Sequence, residues 1–295
     1  MDREPIERRL RVGTDAPGQE VELALFEWPG DGPTVLLVHA NGFHSRCWDA
    51  VVRELPGVRV LAVDLRGHGR SDKRPPYTWD RFGEDVLQLV ATLDVPVRVA
   101  VGHSLGGHVV TQVAARLPGK FGAIVLVDPV ILTPERYATR DERSAVGEHT
   151  LKRKSRFESP EAMFERFRGR APFRTWREDV LRSYCFHGLE RNLGPEGGYV
   201  LRCPPEVEAL IYAGASWCDV RPLLAGVRVP VTVLRARGAA ADRPPGDLST
   251  SPTWPALASQ FPRGRDVHLP ELSHFIPMER PELVAKHVLE ALAQA

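Results

Sequence analysis

The chain has little cysteine, almost no charge excess and no long hydrophobic run, and each shortage removes a class of protein. Its four cysteines (Cys47, Cys185, Cys203 and Cys218) are scattered, with no C-x-x-C pair. Reduced, partly buried thiols are therefore expected rather than a disulfide framework or a thiolate metal site. The histidines form no H-x-x-x-H or similar ligand cluster, so no metal and no cofactor is expected. Basic and acidic residues nearly cancel, at 39 against 38, which gives no electrostatic reason to expect nucleic acid or an anionic membrane as partner. No apolar run approaches the ~18 residues of a membrane span. Met1–Arg9 contains no apolar core of a secretory signal, so the expected address is the cytoplasm.

What is present is an alternation of short β-branched runs with helix-period segments, which predicts an α/β fold with a mostly parallel sheet covered on both faces. Strands are expected over Glu20–Glu27, Thr34–His39, Val58–Val63, Val97–Val101, Ala123–Val127, Val229–Arg235 and Arg265–Leu269. Helices are expected over Arg46–Leu55, Trp79–Leu93, Leu105–Leu117 and Pro281–Leu292, the last with proline at its first position. The rhythm stops between about Leu132 and Pro222 and resumes at Val229. The interrupting segment is Arg-rich and helical in pattern, with Ser159 and Pro160 as a helix start.

One pentapeptide stands where a strand gives way to a helix: Gly102-His103-Ser104-Leu105-Gly106. A serine at such a sharp turn is pushed into the open, and glycines two residues to either side remove the Cβ atoms that would clash. The following helix aims its first N–H groups at the same place, where they can meet a developing oxyanion. This arrangement resembles the nucleophile elbow of the α/β-hydrolase family. The resemblance covers about Glu20–Ile131 and Val227–Leu292. It implies an eight-stranded sheet, a core domain of residues 1–131 and 223–295, and a helical cap of residues 132–222 inserted after the sixth strand.

A hydroxyl needs a base, and the base an orienting group. His274 follows the last strand and precedes the final helix, in Ser273-His274-Phe275-Ile276-Pro277-Met278-Glu279-Arg280-Pro281. That resembles the family's terminal catalytic loop, and the order serine first, histidine last also fits. His103 and His108 are expected to pack or hydrogen-bond beside the elbow, and His39 to serve the adjacent loop. For the acid, most relatives use the end of the seventh strand, yet here that strand runs into Arg237-Gly238-Ala239-Ala240-Ala241 before Asp242, with Asp247 further out. Asp128 instead lies directly after the sixth strand, ahead of Pro129, and strand ends place side chains better than long loops do. Asp128 is the chosen acid, with Asp242 as the alternative. The oxyanion donors are expected to be the backbone N–H groups of Leu105 and of Asn41, with Phe43 the other option for the second. His39-Ala40-Asn41-Gly42-Phe43 is similar to the family's His-Gly loop, departing from it at Ala40. Asp64-Leu65-Arg66-Gly67-His68-Gly69-Arg70-Ser71-Asp72 looks like a structural turn of the family; no P-loop Lys-Ser/Thr follows its glycines.

These residues imply a cofactor-free serine hydrolase acting on a small molecule with an acyl group: a carboxylic ester, thioester or lactone. A C–C bond hydrolase of ring-cleavage products uses the same parts. A non-catalytic small-molecule receptor on the same fold is the reading from another class. Monomer and homodimer are both compatible with the sequence. Within the inserted segment, Lys152, Arg153, Lys154, Arg156, Arg166, Arg168, Arg170, Arg174 and Arg177 read as a solvated face, or alternatively as an attraction for an acidic substrate. Phe164, Phe167, Phe173 and Trp176 suit either an acyl pocket or ordinary packing.

Overall fold

In strand β3 (Thr34–Val38) successive side chains enter opposite faces of a sheet, and both faces are closed: Val35 and Leu37 join one apolar cluster, Leu36 and Val38 another. The same split recurs in β5 (Val97–His103) and β6 (Phe121–Val127). Such continuous apolar runs belong to strands covered on two sides. The computed structural model describes residues 4–13, 20–139, 145–238 and 249–295.

The sheet also contains β1 (Ile6–Val12), β2 (Val21–Trp28), β4 (Arg59–Val63), β10 (Val231–Ala236) and β11 (Gly264–Leu269). Its eight strands run in the order β1-β2-β4-β3-β5-β6-β10-β11. β2 pairs antiparallel with both β1 and β4, and the other pairings are parallel. On one face lie α2 (Trp79–Thr92) and α3 (Leu105–Arg116); on the other, α1 (Asp49–Arg53) and α10 (Pro281–Leu292).

Three details differ from the sequence expectation. β1 was not singled out, because Glu7, Arg8, Arg9 and Arg11 give an edge strand no apolar run. The helix expected over Arg46–Leu55 divides into a 3-10 turn, Ser45–Trp48, and α1. The segment between β6 and β10 is not wholly helical. Besides α4 (Pro134–Thr139), α5 (Ala145–Thr150), α6 (Pro160–Phe167), α7 (Glu178–His187) and α8 (Pro205–Ala213) it carries β7 (Arg156–Phe157), β8 (Leu189–Arg191) and β9 (Tyr199–Leu201), paired antiparallel in the order β7-β9-β8. Two- and three-residue strands are too short to show a period. Ser159 does cap α6, accepting from the Ala162 N–H at 3.1 Å.

The turn after β4 is structural, as its residues suggested. Asp64 accepts from the Ser45 N–H (2.6 Å) and the Arg70 N–H (2.8 Å), and Arg66 makes a buried two-pronged pair with Asp85, both contacts 2.8 Å. The four cysteines are free, and burial pushes the thiols of Cys185 and Cys218 up to about 12 and about 11. Among the described residues, no helix is long and apolar enough to cross a membrane.

Candidate active site

Ser104 sits between β5 and α3 with φ 55° and ψ −115°, a left-handed conformation that L-residues avoid. Holding a residue there costs on the order of 1–3 kcal/mol, and four hydrogen bonds enforce it. The Ser104 N–H donates to Val127 O (3.0 Å), while its carbonyl accepts from the N–H groups of Gly107 (3.1 Å), His108 (3.3 Å) and Val130 (3.1 Å). Both flanking glycines are required by space. A Cβ on Gly102 would lie 2.2 Å from Gly106 O, and one on Gly106 would lie 2.1 Å from Val38 O. The elbow is thus wedged against the end of β3.

Ser104 Oγ lies 3.0 Å from His274 Nε2, and His274 Nδ1 lies 2.6 Å from Asp128 Oδ2. In the neutral imidazole Nδ1–H donates to the carboxylate, leaving Nε2 free to accept the serine proton. His274 and Ser104 are each 5% exposed and Asp128 is fully buried. A carboxylate without water needs donors, and Asp128 Oδ1 has three: the Ala236 N–H (2.9 Å), Ser251 Oγ (2.5 Å) and Thr253 Oγ1 (3.2 Å). Asp128 itself has φ 43° and is pinned by its N–H to Leu234 O at 2.7 Å. The structure therefore brings Ser104, His274 and Asp128 together. Asp242 and Asp247 lie outside the described residues.

Two ties hold the histidine. His103 Nε2–H donates to the His274 carbonyl at 2.8 Å, and Ser273 donates from its N–H (3.0 Å) and Oγ (2.6 Å) to Glu279. Glu279 is the acidic residue that precedes Pro281 in the terminal motif, and its part is to fix the loop. Burial lowers the His103 pKa well below the ordinary value, with His274 adding to the effect, so its ring stays neutral. His103 hydrogen-bonds beside the elbow as expected, whereas Ser251 and Thr253 are partners of Asp128 that the sequence does not point to. Ser251 and Thr253 lie 123 and 125 residues from Asp128, and no spacing rule connects them.

Leu105 opens α3, and its N–H is one of the helix-initial donors with no intrahelical acceptor. In the facing loop, Phe43 N–H is used in a turn to Ala40 O (3.2 Å) and Gly42 N–H donates to His68 Nε2 (3.0 Å). Both of these N–H groups, Phe43's included, are thus already engaged. His39 braces the same loop, with Nδ1–H on Ala40 O (2.7 Å) and Nε2 accepting from the Leu65 N–H (2.9 Å). His108 is bound between Gln112 (3.1 Å) and Cys218 O (3.0 Å), away from the relay.

Above the relay the inserted segment contributes aromatic rings. Trp176 and Tyr184 pack on Phe43 with ring centroids 5.7 and 5.4 Å away, and Trp176 also meets Phe275 at 5.2 Å. Phe275 is in turn 5.8 Å from the His274 ring, and Phe43 6.1 Å from that of His103. Phe164 is buried in the same cluster, with Phe167 and Phe173 packed against it. Most of the basic residues of the segment are exposed as expected, but Arg153 is not: it forms an ion pair with the buried Glu208 and donates to Tyr184 Oη at 2.8 Å. A cleft of about 520 Å³ elsewhere is lined by Arg46, Asp49, Ser183 and His187, and by none of the relay residues.

The sequence profile of the alpha/beta hydrolase family matches residues 35–287, which includes the elbow, Asp128 and His274. The chain belongs to the alpha/beta hydrolase family. Among curated proteins it is 30% identical to Esterase Rv0045c of Mycobacterium tuberculosis over 295 residues, 96% of this chain and 92% of that protein. The crystal structure of that esterase superposes with a TM-score of 0.71 at 25% identity, covering 98% and 92% of the two chains. E-2-(acetamidomethylene)succinate hydrolase superposes with a TM-score of 0.78 at 23% identity over 98% and 99% of the chains, a likeness of fold. As an alpha/beta hydrolase with esterase relatives, the protein is a hydrolase.

Proposed function

We propose that the protein is a serine hydrolase that cleaves a carboxylic ester, thioester or lactone through an acyl-enzyme on Ser104, with Asp128 and His274 completing the triad. His274 Nε2 takes the Ser104 proton as Oγ attacks the carbonyl carbon, then delivers it to the leaving group. Asp128 holds the imidazole in the tautomer that can accept, and stabilises the imidazolium once formed. The tetrahedral oxygen is met by the N–H groups of Leu105 and Asn41. Water, activated by the same histidine, then releases the acid.

The observation that carries this reading is the continuous relay of 3.0 Å and 2.6 Å from Ser104 through His274 to Asp128, beside a strained serine. The segment 132–222 acts in this reading as a cap. Its aromatic rings at Phe43 and Phe275 support that role, since they would exclude water from the reacting carbonyl and shape the acyl site.

The test is incubation with an alkyl fluorophosphonate followed by peptide mass spectrometry. One covalent adduct is expected, on Ser104, abolished in Ser104→Ala and slowed by at least a hundredfold in His274→Ala. Folded wild-type protein that acquires no adduct would overturn the proposal and favour a ligand receptor. A series of p-nitrophenyl esters of increasing chain length then measures the acyl site.

A further inference from the structure

The loop that carries Asn41 is gripped from two sides. From the core, Gly42 N–H donates to His68 Nε2 at 3.0 Å, and His68 is itself anchored by Nδ1–H to Arg66 O at 2.9 Å. From the inserted segment, the Glu208 backbone carbonyl on α8 accepts from Asn41 Nδ2 at 2.9 Å. The Glu208 carboxylate lies directly on the Gly42 backbone, so close that a Cβ there would be 2.5 Å from Oε1. Gly42 has φ 78°, a value the loop needs in order to turn between Asn41 and Phe43.

Glu208 is 5% exposed and reaches neither Ser104 nor His274 by any hydrogen bond. Its cationic partner among the described residues is Arg153, which follows α5 and also donates to Tyr184 Oη on α7 at 2.8 Å. The Tyr184 ring packs on Phe43 at 5.4 Å. Three separate parts of the segment thus converge on the loop through one partly buried ion pair. Burial raises the Glu208 pKa and Arg153 opposes the rise; burial likewise works against the Arg153 charge, but Tyr184 and Glu208 outweigh it. Each charge therefore holds the other in place, and losing one leaves the other buried without its counter-ion.

We propose that Glu208 and Arg153 are positioning residues for the oxyanion site: their ion pair fixes the backbone at Asn41 and Gly42, so that the Asn41 N–H, carried by the peptide just before it, is aimed at the reacting oxygen only when the segment 132–222 is seated on the loop. The inference rests on the assignment of Asn41 as a donor made under the proposed function. An oxyanion donor acts in the transition state and little in the ground state, so its misplacement lowers kcat more than it alters KM. Outright removal of such a donor costs about 10²–10³ in kcat, and a shifted peptide should cost part of that.

The experiment compares wild type, Glu208→Gln, Arg153→Met, Tyr184→Phe and the exposed-pair control Glu165→Gln, measuring kcat and KM on p-nitrophenyl butyrate and Ki for a trifluoromethyl ketone, whose hemiketal oxygen occupies the oxyanion site. Glu208→Gln keeps the side-chain volume and the carbonyl that receives Asn41. It is expected to lower kcat about tenfold with KM within about threefold, and to weaken the ketone in proportion to the loss in kcat/KM. Arg153→Met should behave alike, Tyr184→Phe more mildly, and Glu165→Gln as wild type. If Glu208→Gln does not fold, Tyr184→Phe carries the same proportionality. Variants that lose thermal stability while kcat and Ki stay at wild-type values would overturn the inference and leave the triad untouched. Wild-type protein that forms no fluorophosphonate adduct would remove the function itself, and this inference with it.

Discussion

In the core, Ser104 and Asp128 follow β5 and β6, strands buried on both faces, while His274 follows the edge strand β11, and helices of 12 to 14 residues back the sheet. In the segment between β6 and β10 the helices run from six to ten residues and the strands from two to three. There one short three-stranded ladder is supplemented by packed aromatic rings and by ion pairs such as Arg153–Glu208. The contrast separates two tasks. In the function proposed above, the main sheet would hold the reacting atoms in place, while the segment would set what can approach and how the loop at Asn41 is held. Chemistry should therefore be most sensitive in the core, and substrate preference most sensitive in the segment.

The sharpest way to break that division is at Asp128. Asp128→Asn keeps the shape but offers an amide to His274 and favours the wrong tautomer, so kcat is expected to fall by about 10³–10⁴, read by steady-state ester hydrolysis. Asp242→Asn, in the Pro-rich stretch of the sequence, should stay within a few-fold of wild type. The reverse outcome would move the acid out of the core.

A smaller effect is expected at the seam. His44 donates to Tyr184 O at 3.2 Å and His108 to Cys218 O at 3.0 Å, so each ties the core to the segment or its exit. Burial lowers the pKa of His44 to about 3 and of His108 to about 4. Both values lie below the ~6.5 of an unfolded histidine. Their contribution to stability is thus fully present above pH ~6.5 and is lost as pH falls from there toward 4. Each should cost about 2 kcal/mol by pH 5. Urea midpoints measured at pH 7 and pH 5 read the total dependence, to which His39, His68, His103 and His187, whose pKa values burial also lowers, add with the same sign, and His108→Gln should flatten it in part.

The mildest prediction concerns the segment alone. Trp176→Leu removes one ring of the aromatic cluster. It is expected to raise KM for long-chain p-nitrophenyl esters about threefold to tenfold while changing kcat by less than threefold, since uniform binding is lost and not transition-state contact. An equal loss in kcat would show that the rings also order the relay.

How much could be read from residues alone follows the same line. The strand alternation announced β3, β5 and β6 because both faces are buried, and Asp128 stood out because it ends such a strand. Pro281–Leu292 agreed to the residue with α10, since a proline marks its start. Ser251 and Thr253 were invisible because their link to Asp128 is purely tertiary. Arg153 was hidden among basic neighbours that are in fact solvated; nothing local distinguishes it from Lys152 or Lys154, and only the fold brings Glu208 to it.

Placing the carboxylate at the end of β6 has a consequence for tolerance to change. β5 and β6 are neighbours, with His103 paired to Val127, so a single register sets the spacing of Ser104 and Asp128. A slip of one position there would part them together with every side chain on both faces. At the end of β10 and beyond it, the Ala236 N–H and the Ser251 and Thr253 hydroxyls reach the Asp128 carboxylate as donors, so that register also decides which groups of the neighbouring strand end can satisfy it.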